Sequence, residues 1–498
     1  MNVNPITRLD YPDPDVIRVE DTYYMVSTTM HFMPGCEILQ SFDLVHWEHV
    51  TYVYETLDHT DAQQLKSGQN IYGQGMWAAS LRYHEGRFYI CFVANDTRKT
   101  YLYTSEKIDG PWKKQLIEGF YHDGSLLFDE DGRNYIVYGN DEIWITELNE
   151  DLTAPKKDGL HRLLVSDHKN PKLGYEGSHI QKINGYYYIF LVHSLRDRWM
   201  RTEACFYSDS LEGEFTGGDV LCDDRGYCGQ GVAQGGIVDT PDGKWYAMLF
   251  QDSGAVGRLP ILLPVIWKDH FPVFGQNGHV PEEIEVHSTR PGYIYQPLVG
   301  SDDFCNGLLP RWQFNHDPDP QYYHLDALQG TYTITTREVC TELTQAVNTL
   351  TQRMSYPSCA AEVTVDASAL KEGDVAGLCA FQGCYAAVGI TKHHGKYEVL
   401  MLDKKEDGIL DMTEGTVVES HQMDFRLEAD FCNMKDEARC YYRVNKGDWL
   451  PIGTVHKLYF KLDHFTGCRF GLFCYAAEET GGSACFRDFK YYDVDEIS

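Results

Sequence analysis

The sequence predicts an all-β protein, a five-bladed β-propeller over residues 1–297 followed by a β-sandwich over residues 298–498. Three observations predict this architecture. Tyr, Phe and Trp make up 13% of the 498 residues, and short runs rich in aromatic and β-branched residues recur between Gly, Asp and Asn turns. Long apolar patterns with a helical period are hard to find. One strand–turn–strand unit occurs five times before residue 250.

Each repeat of the first segment consists of a strand, a polar turn and an aromatic-rich strand, often followed by a third strand. The last aromatic residues of the repeats lie 46 to 65 residues apart, a spacing typical of four-stranded propeller blades with loops of variable length. Five repeats therefore predict five blades. The turn-plus-aromatic segments are residues 21–24, 86–89, 132–135, 185–188 and 243–246.

The repeat stops after Tyr293, and the sequence Ser-Asp-Asp-Phe at 301–304 opens a second β-rich segment. Short predicted strands such as 360–365 and 397–402, with turns about every ten residues, favour a sandwich. We place the boundary between the two domains near residues 295–302. Because no low-complexity or charged tract separates the two parts, we expect a packed interface between them.

Composition excludes several classes of function. A net charge of −31 repels phosphate backbones and anionic lipid, so neither nucleic acid nor a membrane surface is an expected partner. The longest apolar stretch, residues 259–267, is far shorter than the roughly 20 residues of a spanning helix. The first residues lack a basic segment followed by an apolar one, and the 15 cysteines form no CxxC pair, so we expect a reduced, cytoplasmic protein.

A repeated position in the propeller predicts the functional site. Twelve residues before the last aromatic of repeats 2 to 5 stand Trp77, Asp123, Glu176 and Gln234, and eleven before that of repeat 1 stands Asp13. The innermost strand of each blade lines the propeller axis, so these five side chains are expected to converge on one funnel.

Three of those five residues are acidic, although like charges in one funnel repel each other. Acidic residues are common in this chain, and a single one at this position would be uninformative. Repulsion separates the pKa values of neighbouring carboxyl groups, which supplies one proton donor and one acceptor at neutral pH. Glycoside hydrolysis requires such a pair, an acid for the leaving oxygen and a carboxylate for water or the anomeric carbon.

Several short motifs carry a family resemblance: NP at 4–5 with YPDP at 11–14, MWAAS at 76–80, DGSLLFDEDG at 123–132 and EGSH at 176–179. They resemble glycoside hydrolase family 43, whose five-bladed propellers include β-xylosidases and α-L-arabinofuranosidases. The resemblance implies that Asp13 is the general base, Glu176 the general acid, and Asp123 the residue that orients the acid and raises its pKa.

The same resemblance implies the substrate-binding residues. Trp77 matches the family's substrate platform, and Arg258, before LPV at 263–265, matches an arginine that binds the sugar in subsite −1. Phe32, before MPG at 33–35, matches an aromatic pocket wall. Many members carry a histidine in the fifth blade that holds a water or a calcium ion, whereas this chain has Gln234. An amide oxygen can still coordinate a hard cation but does not titrate, so a bound calcium ion near the propeller axis stays open as an alternative. We predict no required cofactor or metal.

The resemblance extends past the propeller. Residues 302–304, Trp312, LTQR at 350–353 and GL at 377–378 are similar to the C-terminal, concanavalin-A-like sandwich of the β-xylosidase branch. In that branch the sandwich packs on the propeller and can close one side of the pocket, which favours an exo-acting site. Homo-oligomers are common in the branch, and we expect a dimer or tetramer.

We predict an exo-acting, inverting glycoside hydrolase that releases xylose from the non-reducing end of β-1,4-xylo-oligosaccharides. Inversion requires the Asp13 and Glu176 carboxyl groups to lie roughly 6.5 to 9.5 Å apart, against about 5 Å for retention. The alternative substrate is an α-L-arabinofuranoside, or both sugars, because the hydroxyl patterns of the two pentoses are similar. The two are expected to differ by only about 1 to 3 kcal/mol in one pocket.

Two other classes stay open at this point. A retaining fructan-type hydrolase or transferase has the same two domains, but its Asn-Asp-Pro and Arg-Asp-Pro motifs are not found in this sequence. A non-catalytic sugar-binding propeller would retain Trp77 and Arg258 and would not need three carboxylates in one funnel. Hydrolysis that survives replacement of Glu176 would contradict its assignment as the acid.

Overall fold

A computed structural model describes residues 3–413, 415–461 and 465–493. Within these ranges the chain forms strands and three short 3₁₀ helices, Lys66–Gly68, Leu343–Gln345 and Cys432–Met434. None of the helices described has the length or apolar character needed to cross a membrane. The predicted all-β class is confirmed.

The first domain is a five-bladed propeller, as predicted, and each blade is a four-stranded antiparallel sheet. Blade 1 contains Asp15–Val19, Thr22–Val26, Gly35–Ser41 and Glu48–Tyr54. Blade 2 contains Met76–His84, Arg87–Ala94, Lys99–Ser105 and Lys113–Ile117. Blade 3 contains Ser125–Phe128, Asn134–Asn140, Glu142–Leu148 and His161–Ser166. Blade 4 contains Glu176–Ile183, Tyr186–Ser194, Arg201–Ser208 and Thr216–Leu221. Blade 5 contains Ala233–Asp239, Trp245–Asp252, Arg258–Lys268 and Phe271–Phe274.

Buried polar contacts fix the inner strands of neighbouring blades to each other. The Asp15 carboxylate of blade 1 accepts hydrogen bonds from the Leu81 backbone (2.7 Å) and Arg82 Nη1 (2.8 Å) of blade 2, and lies 3.0 Å from His179 Nδ1 of blade 4. Arg82 also donates to Ser125 Oγ of blade 3. Burial opposes ionisation of Asp15, but Arg82 and His179 outweigh it and hold its pKa below the ordinary value. This network holds the inner strands of four blades together.

The second domain is a sandwich of two antiparallel sheets. One sheet has nine strands: Phe32–Met33, Gln313–Asn315, Leu350–Arg353, Arg469–Tyr475, Val375–Phe381, Ala386–His393, Lys396–Lys404, Leu410–Met412 and Thr416–Val418. The other has seven: Tyr323–Asp326, Thr331–Thr335, Ser483–Asp493, Ser358–Asp366, Gln422–Asp430, Glu437–Arg443 and Leu450–Lys457. Apolar side chains of the facing strands alternate into one buried core between the sheets.

The two domains share a sheet and a core. The propeller segment Phe32–Met33 pairs with Gln313–Asn315 and so forms the edge of the nine-stranded sheet. Ala255, Val256 and Leu259 of the propeller belong to the hydrophobic core of the sandwich. The interface is therefore packed, and it brings sandwich residues close to the mouth of the propeller. The predicted boundary at 297/298 falls in the connection between the last propeller strand and the first sandwich strand.

Candidate active site

The five positions predicted from the repeat lie at or just before the first strand of their blades. Asp13, Asp123 and Gln234 have φ angles of 52°, 47° and 65°. This left-handed region is uncommon for residues other than glycine. In blades 2, 4 and 5 the strand register shifts at the same place, as in a β-bulge. Bulges and left-handed turns interrupt the alternation of a strand and redirect its side chains.

Asp13 is buried and firmly held. Its Oδ1 accepts a hydrogen bond from Arg258 Nη1 (2.7 Å), and its Oδ2 accepts one from Thr28 Oγ1 (2.6 Å). Arg258 is itself 5% exposed and is fixed by Asp252, whose Oδ1 lies 3.2 Å from Arg258 Nε. The Asp13 carboxylate therefore has a defined orientation beside a buried cation.

Asp123 and Glu176 meet around a histidine. Nε2 of His122 lies 3.4 Å from Asp123 Oδ2 and 3.5 Å from Glu176 Oε2. Asp123 Oδ2 also accepts a hydrogen bond from the Gly177 backbone (2.9 Å), and Glu176 Oε2 accepts one from Asn140 Nδ2 (2.7 Å). The side chain of Glu176 is 21% exposed and that of Asp123 only 7%. Glu176 is thus the carboxyl group of this pair with more access to a ligand.

The carboxyl groups of Asp13, Asp123 and Glu176 lie close enough to interact electrostatically. Burial raises the pKa of Asp123 to about 6; the His122 cation opposes the rise, while the carboxylates of Glu176 and Asp13 increase it. Burial disfavours protonation of His122, but Asp123 and Glu176 outweigh it and raise its pKa to about 9. His122 is therefore a cation at neutral pH, placed between two acidic groups.

Gln234 packs against the backbone next to the acidic pair. A side chain at Gly177 would place its Cβ 2.8 Å from Gln234 Cγ, and Gly177 has a φ of 65°. Glycine suits this position because a Cβ would collide with the Gln234 side chain, and because a positive φ is less strained without a side chain. The Gln234 backbone N–H donates to Glu203 Oε2 (2.7 Å). Gln234 therefore borders the site through Gly177, close to Glu176.

Two aromatic rings from different domains form an apolar wall. Trp77 is half-buried, and its ring meets His122 edge to face, with 5.8 Å between ring centroids. Its other neighbour is Phe465 of the sandwich, at 5.6 Å. Phe465 also covers the guanidinium of Arg258, 4.3 Å from its ring centroid. Phe465 therefore brings the sandwich into contact with both Trp77 and Arg258.

The structure does not place Phe32 in the pocket wall. Its side chain is 1% exposed, and the Arg469 guanidinium lies 3.5 Å from its ring centroid. The ring packs with Leu343 and Phe381 in the sandwich. The expectation fails because residues 32–33 are recruited as an edge strand of the nine-stranded sheet, which leaves no face of the ring for a sugar.

Sequence reasoning also missed His122, Asn140 and Phe465. His122 precedes Asp123 directly, and its position beside an acidic residue at the repeated register was the available signal. Asn140 ends the second strand of blade 3, where the sequence carries no such signal. Phe465 comes from the other domain and more than 400 residues after Asp13.

The fold and site define a class of protein: a five-bladed propeller in which three carboxyl groups converge beside a buried arginine and an aromatic wall. The chain belongs to glycosyl hydrolases family 43, whose model matches residues 3–272. A second model, the beta xylosidase C-terminal Concanavalin A-like domain, matches residues 301–492. The recognised family and the predicted class of sandwich are thereby confirmed.

Named relatives and solved structures agree with this assignment. The chain is 26% identical to a beta-xylosidase of Formosa agariphila over 99% of this chain and 89% of that protein. It is 24% identical to a xylosidase/arabinosidase of Butyrivibrio fibrisolvens over 99% of both. A solved structure described as a bifunctional GH43-CE from Bacteroides eggerthii is 42% identical, with a TM-score of 0.92. The alignment covers all of this chain but only 64% of that one, which is longer.

Proposed function

We propose that this glycoside hydrolase is an exo-acting, inverting β-xylosidase, with α-L-arabinofuranosidase activity as the alternative or as a second activity of the same pocket. The observation that carries the proposal is the convergence of Asp13, Asp123 and Glu176, from three different blades, beside Arg258 and under a wall formed by Trp77. A protein that only bound sugar would have no need for this buried acidic group, which is costly to maintain.

Asp13 is the proposed general base. Hydrogen bonds from Arg258 and Thr28 fix both of its oxygens, so the carboxylate holds one orientation toward an attacking water. Arg258 lies beside that carboxylate and has further donors for sugar hydroxyls. In the inverting mechanism the water sits between Asp13 and the anomeric carbon, and this requires the separation of about 6.5 to 9.5 Å between Asp13 and Glu176.

Glu176 is the proposed general acid, and Asp123 and Asn140 position it. Glu176 is the more exposed carboxyl group of the pair, so it can reach the glycosidic oxygen of a bound substrate. The hydrogen bond from Asn140 and the contact of Asp123 with the Gly177 backbone fix the acid on both sides. Proton donation by a positioned acid typically contributes a factor of about 10² to 10⁴ in rate.

The shape of the site supports exo action on a short substrate. Phe465 of the sandwich lies against Trp77 and over Arg258, so one side of the propeller mouth is covered at subsite −1. A long polysaccharide would need a groove that is open on both sides. A terminal pentose needs only an apolar wall and a few hydroxyl partners.

The relatives support the substrate class. Proteins named beta-xylosidase and xylosidase/arabinosidase match nearly the full length of this chain. A solved structure with a TM-score of 0.86 is described as an engineered GH43 enzyme with endo-xylanase and exo-arabinofuranosidase activity. A pocket that binds one pentose discriminates weakly against the other, by about 1 to 3 kcal/mol for a small group. We therefore expect activity on both aryl glycosides, with the xyloside preferred.

Hydrolysis is proposed to proceed without a metal. The fifth-blade position that holds a cation in many family members is Gln234, whose backbone contacts Glu203. Burial raises the pKa of Glu203 well above its ordinary value. Gln234 brings only a neutral amide oxygen to this position, a weaker ligand for calcium than a carboxylate, so we propose no required metal.

Location and assembly are also proposals. All 15 cysteines are free thiols, which supports a reducing, cytoplasmic environment.

A homo-oligomer is supported by the edge strand Leu450–Lys457, along which Leu450 and Val455 are each 47% exposed. Light scattering coupled to size exclusion measures the assembly. The net charge of −31 continues to argue against nucleic acid and anionic lipid.

The first experiment compares kcat/KM on aryl β-D-xylopyranosides and aryl α-L-arabinofuranosides. The variant is Glu176→Gln, and the matched control is Glu130→Gln, whose side chain is 85% exposed in a turn of blade 3. We expect the Glu176 variant to lose a factor of about 10² to 10⁴ on phenyl glycosides and much less on dinitrophenyl glycosides, which need no acid. An equal loss on both leaving groups would contradict the role of Glu176.

The stereochemistry is tested separately by NMR of the first product. An inverting enzyme releases α-xylose from a β-xyloside before mutarotation, whereas a retaining enzyme releases β-xylose. Release of the β-anomer would overturn Asp13 as a base. No activity on either pentoside would overturn the proposed function and leave only the family and fold.

A further inference from the structure

Asp10 is a buried carboxylate outside the catalytic group, and it lies between the two domains. It is 2% exposed. Its Oδ1 accepts a hydrogen bond from the backbone N–H of Arg258 in blade 5 (2.7 Å). Its Oδ2 accepts one from the backbone N–H of Gly467 in the sandwich (2.7 Å). Each oxygen of one carboxylate therefore binds the main chain of a different domain.

Both backbone partners of Asp10 belong to segments that form the pocket. The Arg258 side chain binds Asp13, the proposed base. Gly467 follows Phe465 by two residues, and Phe465 covers the Arg258 guanidinium and meets Trp77. Asp10 thus holds the segment that carries Phe465 against the segment that carries Arg258.

Asp10 is itself held in place by the sandwich. Arg353 Nε donates to the Asp10 backbone oxygen (2.9 Å), and Leu9 forms a β-bridge with Ser355. The Arg353 guanidinium also lies over the Tyr11 ring, 4.2 Å from its centroid. The segment on both sides of Asp10 is therefore attached to one sandwich strand, while its carboxylate binds a different part of the sandwich.

The three main-chain segments at this junction pack without space for additional atoms. A Cβ on Gly257, which has a φ of 106°, would lie 2.2 Å from Asp10 Oδ1. A Cβ on Gly467 would lie 2.0 Å from the Val256 backbone oxygen and 2.8 Å from Asp10 Cβ. The junction is a fitted contact rather than a solvated turn. Burial raises the pKa of Asp10 to about 6, and the hydrogen bonds from the Gly467 and Arg258 backbones oppose that rise.

We propose that Asp10 is a positioning residue that couples the sandwich to the active site by fixing the Phe465 wall against Arg258. The inference rests on the proposed function, because it concerns how the pocket for the terminal sugar is completed. Both hydrogen-bond partners of the Asp10 carboxylate are backbone N–H groups, and each of them needs an acceptor. An asparagine offers one acceptor and places an N–H against the other donor, so Asp10→Asn breaks one of the two contacts.

The test measures KM and kcat on an aryl β-D-xylopyranoside for wild type, Asp10→Asn, Phe465→Ala and the double variant. We expect Asp10→Asn to raise KM about tenfold, with a smaller change in kcat, because a hydrogen bond to a charged group is lost. The matched control is Asp302→Asn, a buried carboxylate that accepts N–H bonds of 2.8 Å from Phe304 and Trp312. It should lower the melting temperature and leave kcat/KM within about twofold of wild type.

The double variant separates positioning from general destabilisation. If Asp10 acts through Phe465, the double variant has the KM of Phe465→Ala alone; independent roles would multiply the two effects, and multiplication would overturn the proposal. Unchanged KM in folded Asp10→Asn would overturn it as well. Gly467→Ala keeps the Asp10 carboxylate but displaces the segment that carries Phe465, so it must reproduce the rise in KM. This variant tests the proposal if Asp10→Asn does not fold. An inactive wild type would instead contradict the proposed function.

Discussion

Glu37 forms a buried ion pair between the domains, and its replacement has a calculable effect on stability. Glu37 of blade 1 is 3% exposed; its Oε2 lies 2.8 Å from Arg353 Nη1 of the sandwich, and its Oε1 lies 3.0 Å from His49 Nδ1. Burial opposes ionisation, but Arg353 and His49 outweigh it and lower the pKa of Glu37 from 4.5 to about 2. The perturbation is Glu37→Gln.

The size of the effect follows from linkage between proton binding and folding. A pKa lowered from 4.5 to about 2 contributes about 3 kcal/mol to the free energy of unfolding above pH 4.5. That contribution is lost as the pH falls toward 2, and about 1 kcal/mol of it has gone by about pH 3.5. Glutamine cannot titrate, and it leaves Arg353 buried without its counter-ion, which costs about 3 to 5 kcal/mol at neutral pH.

The assay is urea unfolding of wild type and Glu37→Gln at several values between about pH 6.5 and about pH 3.5. The variant should be less stable by about 3 to 5 kcal/mol at about pH 6.5, and the difference in free energy of unfolding should narrow by about 1 kcal/mol at about pH 3.5. Glu130→Gln, in an exposed turn, should show a constant small difference. A gap for Glu37→Gln that stays constant or widens as the pH falls would refute the reasoning.

Two further predictions concern the acidic pair. Asn140→Ala removes the donor to Glu176 Oε2 and should lower kcat about tenfold on phenyl xyloside with KM nearly unchanged; a KM effect alone would contradict a role in positioning the acid. His122→Phe removes the cation that lowers the pKa of Asp123, so that pKa should rise above 6. Positioning of the acid by ionised Asp123 should then be lost at a higher pH, which moves the acidic limb of the kcat/KM profile upward by about one pH unit. No shift, or a downward one, would contradict the charge assigned to His122.

The repeat carried most of the information about the propeller. The aromatic strands and polar turns of each repeat appear as the second strands of five blades, because alternation and turn residues act locally. The first-strand positions of Asp13, Asp123 and Glu176 followed from the same repeat. Their catalytic roles are predictions that the experiments above test. The separation of the Asp13 and Glu176 carboxyl groups is a prediction as well.

Phe32 shows where the sequence was insufficient. An aromatic residue before Met-Pro-Gly looks the same whether it lines a pocket or pairs with another domain. The partner strand, Gln313–Asn315, is about 280 residues further along the chain. Nothing near Phe32 in the sequence specifies that pairing, so its burial under Arg469 could be learned only from the structure.

By itself the sequence determined the all-β class, the number of blades, the existence of a second domain and the register at which carboxylates meet the axis. These properties depend on short-range periodicity and on a repeat that places equivalent residues at equivalent points. Tertiary structure alone decided that Phe465 lies against Trp77 and Arg258, that His122 lies between two acidic groups, and that Asp10 joins the domains. Those contacts link residues that are distant in the chain, and burial and charge at such contacts arise only when the two domains pack together.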